Sequence, residues 1–435
     1  MNRNRVLSAV AAAAALAGAA PAAAQIPLDA RALGMGGAYI AVARGQESLY
    51  QNPANLGLPG TPHWSVAFPQ VLAGITAEGI TPGDVISLTK YNELSESERQ
   101  AILDGIPASG TGLEVDFRAP IFSMQIRRFT VGLGYGVSGS HTLNKSLVDL
   151  VLNGFDPSKQ YAVTGSNGFR YSYWDFAAAY GRRVGPVSIG AAAHYYLPQS
   201  VVRSGFVDQD TIRDPLGIPT DLRVTYAGLT SEGGSGFGLD IGAALQPMPG
   251  LTLSASIDNA LHSMEFDDET RIRRVTLDQG DYENGDPEQI LSEYEESETD
   301  FTGSTNPLEV ALANQLGEDR DAGLPTTLRA GAAFVPGTGT TVAAAFQTRL
   351  EDTPFAGAWE QQLSVGVQQK LPIVTLRAGL ASDLGGGSML SAGLTLGPIQ
   401  IGIARLASEA VDGSGKREGW VGSFSLSGRS TSVMP

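Results

Sequence analysis

Chemistry needs nucleophiles, titratable pairs or metal ligands at set spacings, and this 435-residue chain offers few. Its four histidines, His63, His141, His194 and His262, stand far apart and lack metal-ligand spacing. Gly233-Gly234-Ser235-Gly236-Phe237 puts Phe where a nucleophile elbow needs its last glycine. Gly413-Ser414-Gly415-Lys416 lacks the upstream glycine and the following Ser or Thr of a phosphate loop. Around Asp281-Tyr282-Glu283-Asn284-Gly285 the acids do not keep the spacing of a calcium loop, so this stretch reads as solvated rather than metal-binding. A hydrolase built into a strand wall would need a serine beside a histidine from a neighbouring strand. His194, on the fifth strand counted below, faces the fourth and sixth and is the one candidate for that arrangement. The sequence assigns no catalytic residue, no cofactor and no metal, and the expectation is a protein that is not an enzyme.

The elements that would carry any site are strands. Arg3 and Arg5 precede a short apolar run, Val6 to Ala20, and Ala22-Ala23-Ala24 stands before Gln25, so residues 1–24 are expected to be a cleaved export signal. Cysteine is absent, which rules out disulfides and a lipid anchor on a cysteine. After the signal no apolar run reaches about 18 residues, so no spanning helix is expected. Yet 42% of residues are hydrophobic and the mean hydropathy is −0.02, so the apolar residues are dispersed. A net charge of −16 argues against a nucleic-acid partner.

Their dispersal has period two. Leu390, Ala392, Leu394 and Leu396 alternate with Met389, Ser391, Gly393 and Thr395, and the same holds for Ile399, Ile401 and Ile403, for Val374 to Leu380, for Val342 to Phe346 and for Leu251 to Ile257. One face is apolar and the other small or polar. Short turns fall at Arg127-Arg128, Gly185-Pro186, Pro247–Gly250, Pro336–Gly339, Leu371-Pro372 and Gly397-Pro398, alternating with longer polar connections. Fourteen strands follow, near 62–76, 111–126, 129–139, 168–184, 187–200, 236–247, 250–266, 324–335, 340–351, 359–370, 373–383, 388–396, 399–407 and 418–428. An even count with short turns at one rim and long loops at the other is the pattern of an outer-membrane barrel. The fold expected is all-β, a transmembrane barrel of about 14 antiparallel strands over 61–428. Its external loops would be 77–110, 140–167, 201–235 and 267–323, with a tail at 429–435. Leu222 to Thr230 is placed in an external loop, since a wall strand there would break the alternation.

Residues 25–60 are not wall-like. Ala30-Arg31-Ala32, Gly34-Met35-Gly36-Gly37-Ala38 and Asn52-Pro53-Ala54 follow one another closely. The glycines do not fit a dinucleotide fingerprint, because Tyr39 stands where its third glycine belongs. This order of blocks resembles the N-terminal segment of the FadL superfamily of outer-membrane proteins, in which it folds as a hatch inside a 14-stranded barrel. The resemblance implies a movable hatch, with Gly34, Gly36 and Gly37 giving flexibility and Asn52, Pro53 and Ala54 a rigid knuckle. It implies an outer-membrane channel for uptake of small hydrophobic compounds such as fatty acids. It also leaves an alternative, a non-transport, PorV-like barrel that partners protein secretion or surface attachment. A sideways exit would need a break in a strand ladder, and Pro69 and Pro120 are the candidates. Expected partners are outer-membrane lipid, a hydrophobic small molecule and the barrel assembly machinery, with the barrel a monomer.

Three finer expectations complete the reading. Helices are expected within Asp84–Ile106, starting at Ser95 with Glu98 in a capping box, and within Asn144–Leu152. The 267–323 loop, rich in Asp and Glu, is compatible with disorder. Trp64, Phe129, Tyr171, Tyr173, Trp174, Tyr195, Tyr196, Trp359 and Trp420, near strand ends, fit either interfacial girdles or ordinary cross-strand packing.

Overall fold

Alternation of apolar with small or polar residues sets the wall. A computed structural model describes residues 29–81, 83–84, 94–108, 110–277, 296–320, 323–337, 339–351, 360–409 and 416–434. The export signal 1–24, the apolar positions Val85, Ile86 and Leu88, the acidic run 278–295 and Trp359 lie outside them.

Among the described residues seventeen strands form, in chain order. They are β1 (Trp64–Glu78), β2 (Thr111–Ile126), β3 (Phe129–Leu143), β4 (Asn167–Val184), β5 (Val187–Arg213), β6 (Pro219–Glu232), β7 (Gly234–Met248), β8 (Leu251–Phe266) and β9 (Thr270–Leu277). Then come β10 (Glu296–Asp300), β11 (Thr327–Phe334), β12 (Thr340–Arg349), β13 (Gln361–Lys370), β14 (Val374–Asp383), β15 (Ser388–Leu396), β16 (Ile399–Glu409) and β17 (Lys416–Arg429). Fourteen of them close a ring of antiparallel ladders: β1 to β5, then β7, β8, and β11 to β17, with β17 pairing back onto β1. Closure leaves no unpaired edge in the wall, which is what lets strands cross a bilayer.

The outer face is apolar and the inner face small or polar. Leu376 pairs with Leu394, Leu394 with Ile401, and Ile401 with Phe424, a lateral row on the outside. Leu390 is 63% exposed while its neighbour Met389 is 2% exposed, so one residue along the strand crosses from outside to inside. This is a transmembrane outer-membrane type of barrel, as the alternation indicates.

Three strands stand outside the ring. The second half of β5, from Ser200, pairs with β6, β6 with β9, and β9 with β10, forming an external sheet. Leu222 to Thr230 is therefore outside the wall, but as a strand rather than a loop. The stretch 201–213, expected in a loop, continues β5. The described part of 267–323 is likewise ordered, against the expectation from its acidity. It holds β9, β10 and a helix, Pro307–Arg320. Ile272, Leu312 and Leu316 are buried there with Phe169, Tyr171, Tyr196, Met264 and Phe266. Its charges pair rather than repel: Arg274 is bidentate to Glu309 at 2.6 and 2.8 Å, and Arg203 donates to Asp319 at 2.9 Å. Burial of that apolar set outweighs the charge density.

In chain order the helices are α1 (Ala30–Gly34), α2 (Glu96–Gly105), α3 (Lys145–Asn153) and α4 (Pro307–Arg320). The Ser95/Glu98 capping box starts α2, and the Asn144 side chain caps α3. The aromatic set divides. Trp64, Phe129, Tyr195 and Trp420 are exposed on the outer face, whereas Tyr171 and Tyr196 are buried.

Candidate functional site

Residues 29–58 contact strands all round the ring and so lie within it. The α1 helix packs on β14 to β17, the 3-10 turn Gly45–Leu49 on β1 to β4, and the 3-10 turn Pro53–Gly57 on β4, β5, β7 and β8. Asp29 starts α1 by accepting from the backbone N–H of Arg31 and Ala32 at 2.9 and 2.8 Å. Arg31 donates to Glu47 at 2.5 Å, and Tyr39 donates to the other Glu47 oxygen at 2.6 Å. Burial first, then Glu47, pushes the Asp29 carboxyl up to about 6, and burial draws the Arg44 guanidinium down to about 10.

Close backbone approach explains the glycines. A Cβ on Gly34 would fall 2.8 Å from the Gly393 Cα, so a glycine is needed on each side. Gly36 has φ of +66° and lies against the Leu380 backbone. The Asn52-Pro53-Ala54 block is tied down more firmly. Asn52 Oδ1 accepts from Ala54 N at 2.9 Å, while its Nδ2 donates to the carbonyls of Ala243 at 3.1 Å and Ala255 at 3.0 Å. Ser188 Oγ donates to the Ala54 carbonyl at 2.5 Å. The one side chain thus joins a turn of the luminal segment to β7 and β8.

Beside this segment lies a cavity of about 160 Å³, lined from β2, β4, β5, β7, β8, β11, β12 and β13. Its aromatic side is Tyr50, Tyr171, Tyr173, Tyr196 and Phe346. Tyr173 meets Tyr196 edge-on at 5.7 Å, and His194 stacks on Tyr196 at 5.7 Å. Its polar side is a chain of ion pairs. His194 Nδ1 is 2.9 Å from Asp175 Oδ1 and its Nε2 is 3.1 Å from Asp240 Oδ2. A carboxylate only accepts, so an imidazolium with both nitrogens donating satisfies both contacts. Asp240 Oδ1 also accepts from Asn259 N at 2.7 Å, and Tyr196 OH donates to Asn259 Oδ1 at 2.9 Å. Arg329 pairs with Asp258 at 2.8 Å and donates to the Tyr50 carbonyl at 3.1 Å. Burial, and after it the Asp175 carboxylate, hold the Tyr50 phenol well above its ordinary range.

Neither His194 nitrogen faces a serine, so the Ser/His arrangement weighed from the sequence is absent at that residue. The aspartates on it come from β4 and β7, the fourth and sixth wall strands. Sequence reading missed Asp175, Asp240 and Tyr50. The available signal for Asp175 and Asp240 was their place on the small and polar face of their strands; Tyr50 stands in the luminal segment, where no alternation marks it.

The two prolines meet at one place. The β1–β2 ladder pairs Ala67 with Ser123 and resumes at Leu72 with Arg118, leaving 68–71 and 119–122 unpaired. Pro69 is in the first gap and Pro120 in the second. Register also shifts between Ala67 and Gln70 against β17, and between Pro120 and Phe122 against β3. Proline has no N–H to give the ladder, which accounts for both breaks. A second, smaller cavity, lined by Tyr50, Arg118, Pro120, Gly134, Tyr135, Gly136, Tyr173 and Asp175, shares four of those residues with the central one. It extends from the central cavity to Pro120, on the β2 side of the break.

A family of unknown function, DUF5723, matches residues 201–404. A sequence comparison with curated proteins finds no match. By shape, the TodX deltaS2S3 mutant monoaromatic hydrocarbon channel aligns with a TM-score of 0.56 at 12% identity, over 92% of this chain and 99% of that one. The Pseudomonas putida toluene transporter TodX aligns at 0.51 and 13% identity, over 94% and 98%. The Ralstonia pickettii toluene transporter TbuX aligns at 0.49 and 15%, over 93% and 97%. These neighbours are channels, not enzymes, and at such identities the likeness is one of fold. The chain has the fourteen-stranded fold of the FadL-family hydrocarbon channels.

Proposed function

We propose that the protein is an outer-membrane channel for small hydrophobic compounds, and that they leave it sideways between β1 and β2. The observation that supports this reading is the smaller cavity, which shares four lining residues with the central one and reaches Pro120, across the ladder gap from Pro69. The luminal segment supports it from the other side. Held by Asn52 on β7 and β8, by Arg31 Nη2 on Ser427 of β17 and by close glycine contacts, it occupies the direct path. In this reading Gly34, Gly36, Gly37, Asn52, Pro53 and Ala54 hold the hatch in place, and gating is its partial release. The shape neighbours are a toluene transporter and a monoaromatic hydrocarbon channel, which favours compact apolar solutes over long-chain fatty acids.

Gly134 gives the test. A Cβ there would meet the Tyr50 hydroxyl, the Ala119 carbonyl and the Asp175 Cβ at 3.5, 3.8 and 3.8 Å, ordinary contacts. Gly134→Val therefore fits a strand while filling the side cavity. Assembled barrels in liposomes should take up toluene several-fold more slowly than wild type. Equal uptake would remove the sideways route, and no uptake by wild type would remove the channel.

One observation favours the second reading, a PorV-like secretion partner. The external sheet and α4 are packed through a substantial apolar cluster, more structure than a pore mouth needs. Affinity capture from cells with the α4 face altered would show loss of a bound secreted protein if that reading holds.

A further inference from the structure

Resting on the channel reading, we infer that the central cavity selects a single aromatic ring that bears a hydrogen-bond donor, a phenol or an arylamine, over the bare hydrocarbon and over an aromatic acid. Size comes first. A cavity of about 160 Å³ matches one ring, since a cavity of roughly 150 Å³ takes benzene. Shape agrees, because Tyr173 and Tyr196 already meet edge-on at 5.7 Å and offer faces and edges to a further ring.

Polarity decides the rest. A hydrocarbon site is lined by apolar side chains, yet this one holds Asp175, Asp240 and Asp258. The hydrogen bonds and ion pairs described bring them five donors: both His194 nitrogens, Asn259 N, Arg329 Nη2 and Ser256 Oγ. Three carboxylates accept at roughly twelve sites, so acceptor capacity remains for a ligand's O–H or N–H. Arg118 is matched by Asp116 at 3.2 Å, and the His194 imidazolium and Arg329 between them match two of the three carboxylates. One net negative charge is left, and an aromatic acid would add another beside it.

The test uses the full barrel in detergent and three probes of one shape: p-cresol, toluene and p-toluate. Calorimetric titration should find p-cresol bound about tenfold or more tightly than toluene, the ratio for one hydrogen bond to a charged acceptor, with p-toluate weakest. Asp175→Asn should narrow the cresol-to-toluene ratio. Should that variant fail to assemble, the wild-type series decides alone. Equal affinities for cresol and toluene, or tightest binding of toluate, overturn the inference. Liposome flux separates it from the channel reading. Preferential cresol binding without flux of any probe keeps the site and sinks the channel. Flux of toluene with no cresol preference keeps the channel and sinks the site's selectivity.

Discussion

Arg31 and Glu47 form an ion pair wholly inside the luminal segment, 2.5 Å from Nη1 to Oε1, with side chains 8% and 2% exposed. The pair joins α1 to the Gly45–Leu49 turn, so it fixes the segment's own shape rather than its contact with the wall. Removing one partner of a buried pair costs about 3–5 kcal/mol, because the other charge is left alone. Glu47→Gln should therefore loosen the segment without disturbing the strand ladders. The expected result is a heat-modifiable barrel with raised conductance in planar bilayers. Conductance identical to wild type would show that the pair holds nothing shut.

Gly36→Val tests the fit of the segment against β14. Positive φ costs a residue with a side chain about 1–2 kcal/mol. The new Cβ would also fall 2.9 Å from the Leu380 backbone nitrogen, which cannot move without breaking a ladder. The barrel should assemble with the segment displaced, and uptake of an apolar fluorophore should change at least several-fold. Unchanged uptake would separate the segment's position from transport.

The docking of this segment should depend on pH through Asp29. Its carboxyl sits at about 6 when docked, raised by burial and by Glu47, with the Arg31 and Ala32 amides and the Arg31 charge pulling the other way. Released into water it returns to about 4. The docked state thus holds the proton more tightly. Its advantage is complete below pH 4 and is lost as pH rises to 6, a loss of about 3 kcal/mol. Single-channel open time should grow over that interval and level off above it, and Asp29→Asn should flatten the curve. Openings favoured by acid would contradict the assignment.

At the outer rim, α4 is held by two carboxylate pairs. Its Glu309 lies below the usual carboxylate range because Arg274 donates to it. Glu309→Ala should cost α4 about 1–3 kcal/mol of local stability. Hydrogen exchange in residues 307–320 should rise while exchange in β11 to β16 stays as it was. Equal protection would mean that the Leu312 and Leu316 packing suffices.

The wall was legible because its rule is local. Leu390 and Met389 differ in environment for no reason beyond their order, and turns such as Gly397-Pro398 punctuate the pattern. The cavity was not legible, because it depends on register. In the ladders His194 stands opposite Ala177 and Gly238. Its aspartates, Asp175 and Asp240, are two residues along, at diagonal positions. β5 and β7 are joined through β6, so no tight turn sets their register, and a shift between Leu239 and Ile241 offsets β7 against β8. No spacing within one strand records that. The rim misled for a different reason: in its described part Glu309 is answered by Arg274 of β9, but Asp319 is answered by Arg203 of β5, 116 residues earlier.

The luminal segment touches both the earliest and the latest strands of the ring. Its Pro53 turn rests on β4 and β5, its α1 helix on β16 and β17, and the chain's end returns to its last residue, Gly60 N donating to the Met434 carbonyl at 3.1 Å. The seat of Pro53 is made by β4, β5, β7 and β8, whereas that of Ala30 is made by β14 to β17. The segment is thus a strut across the lumen, tying together walls that lie far apart in the chain.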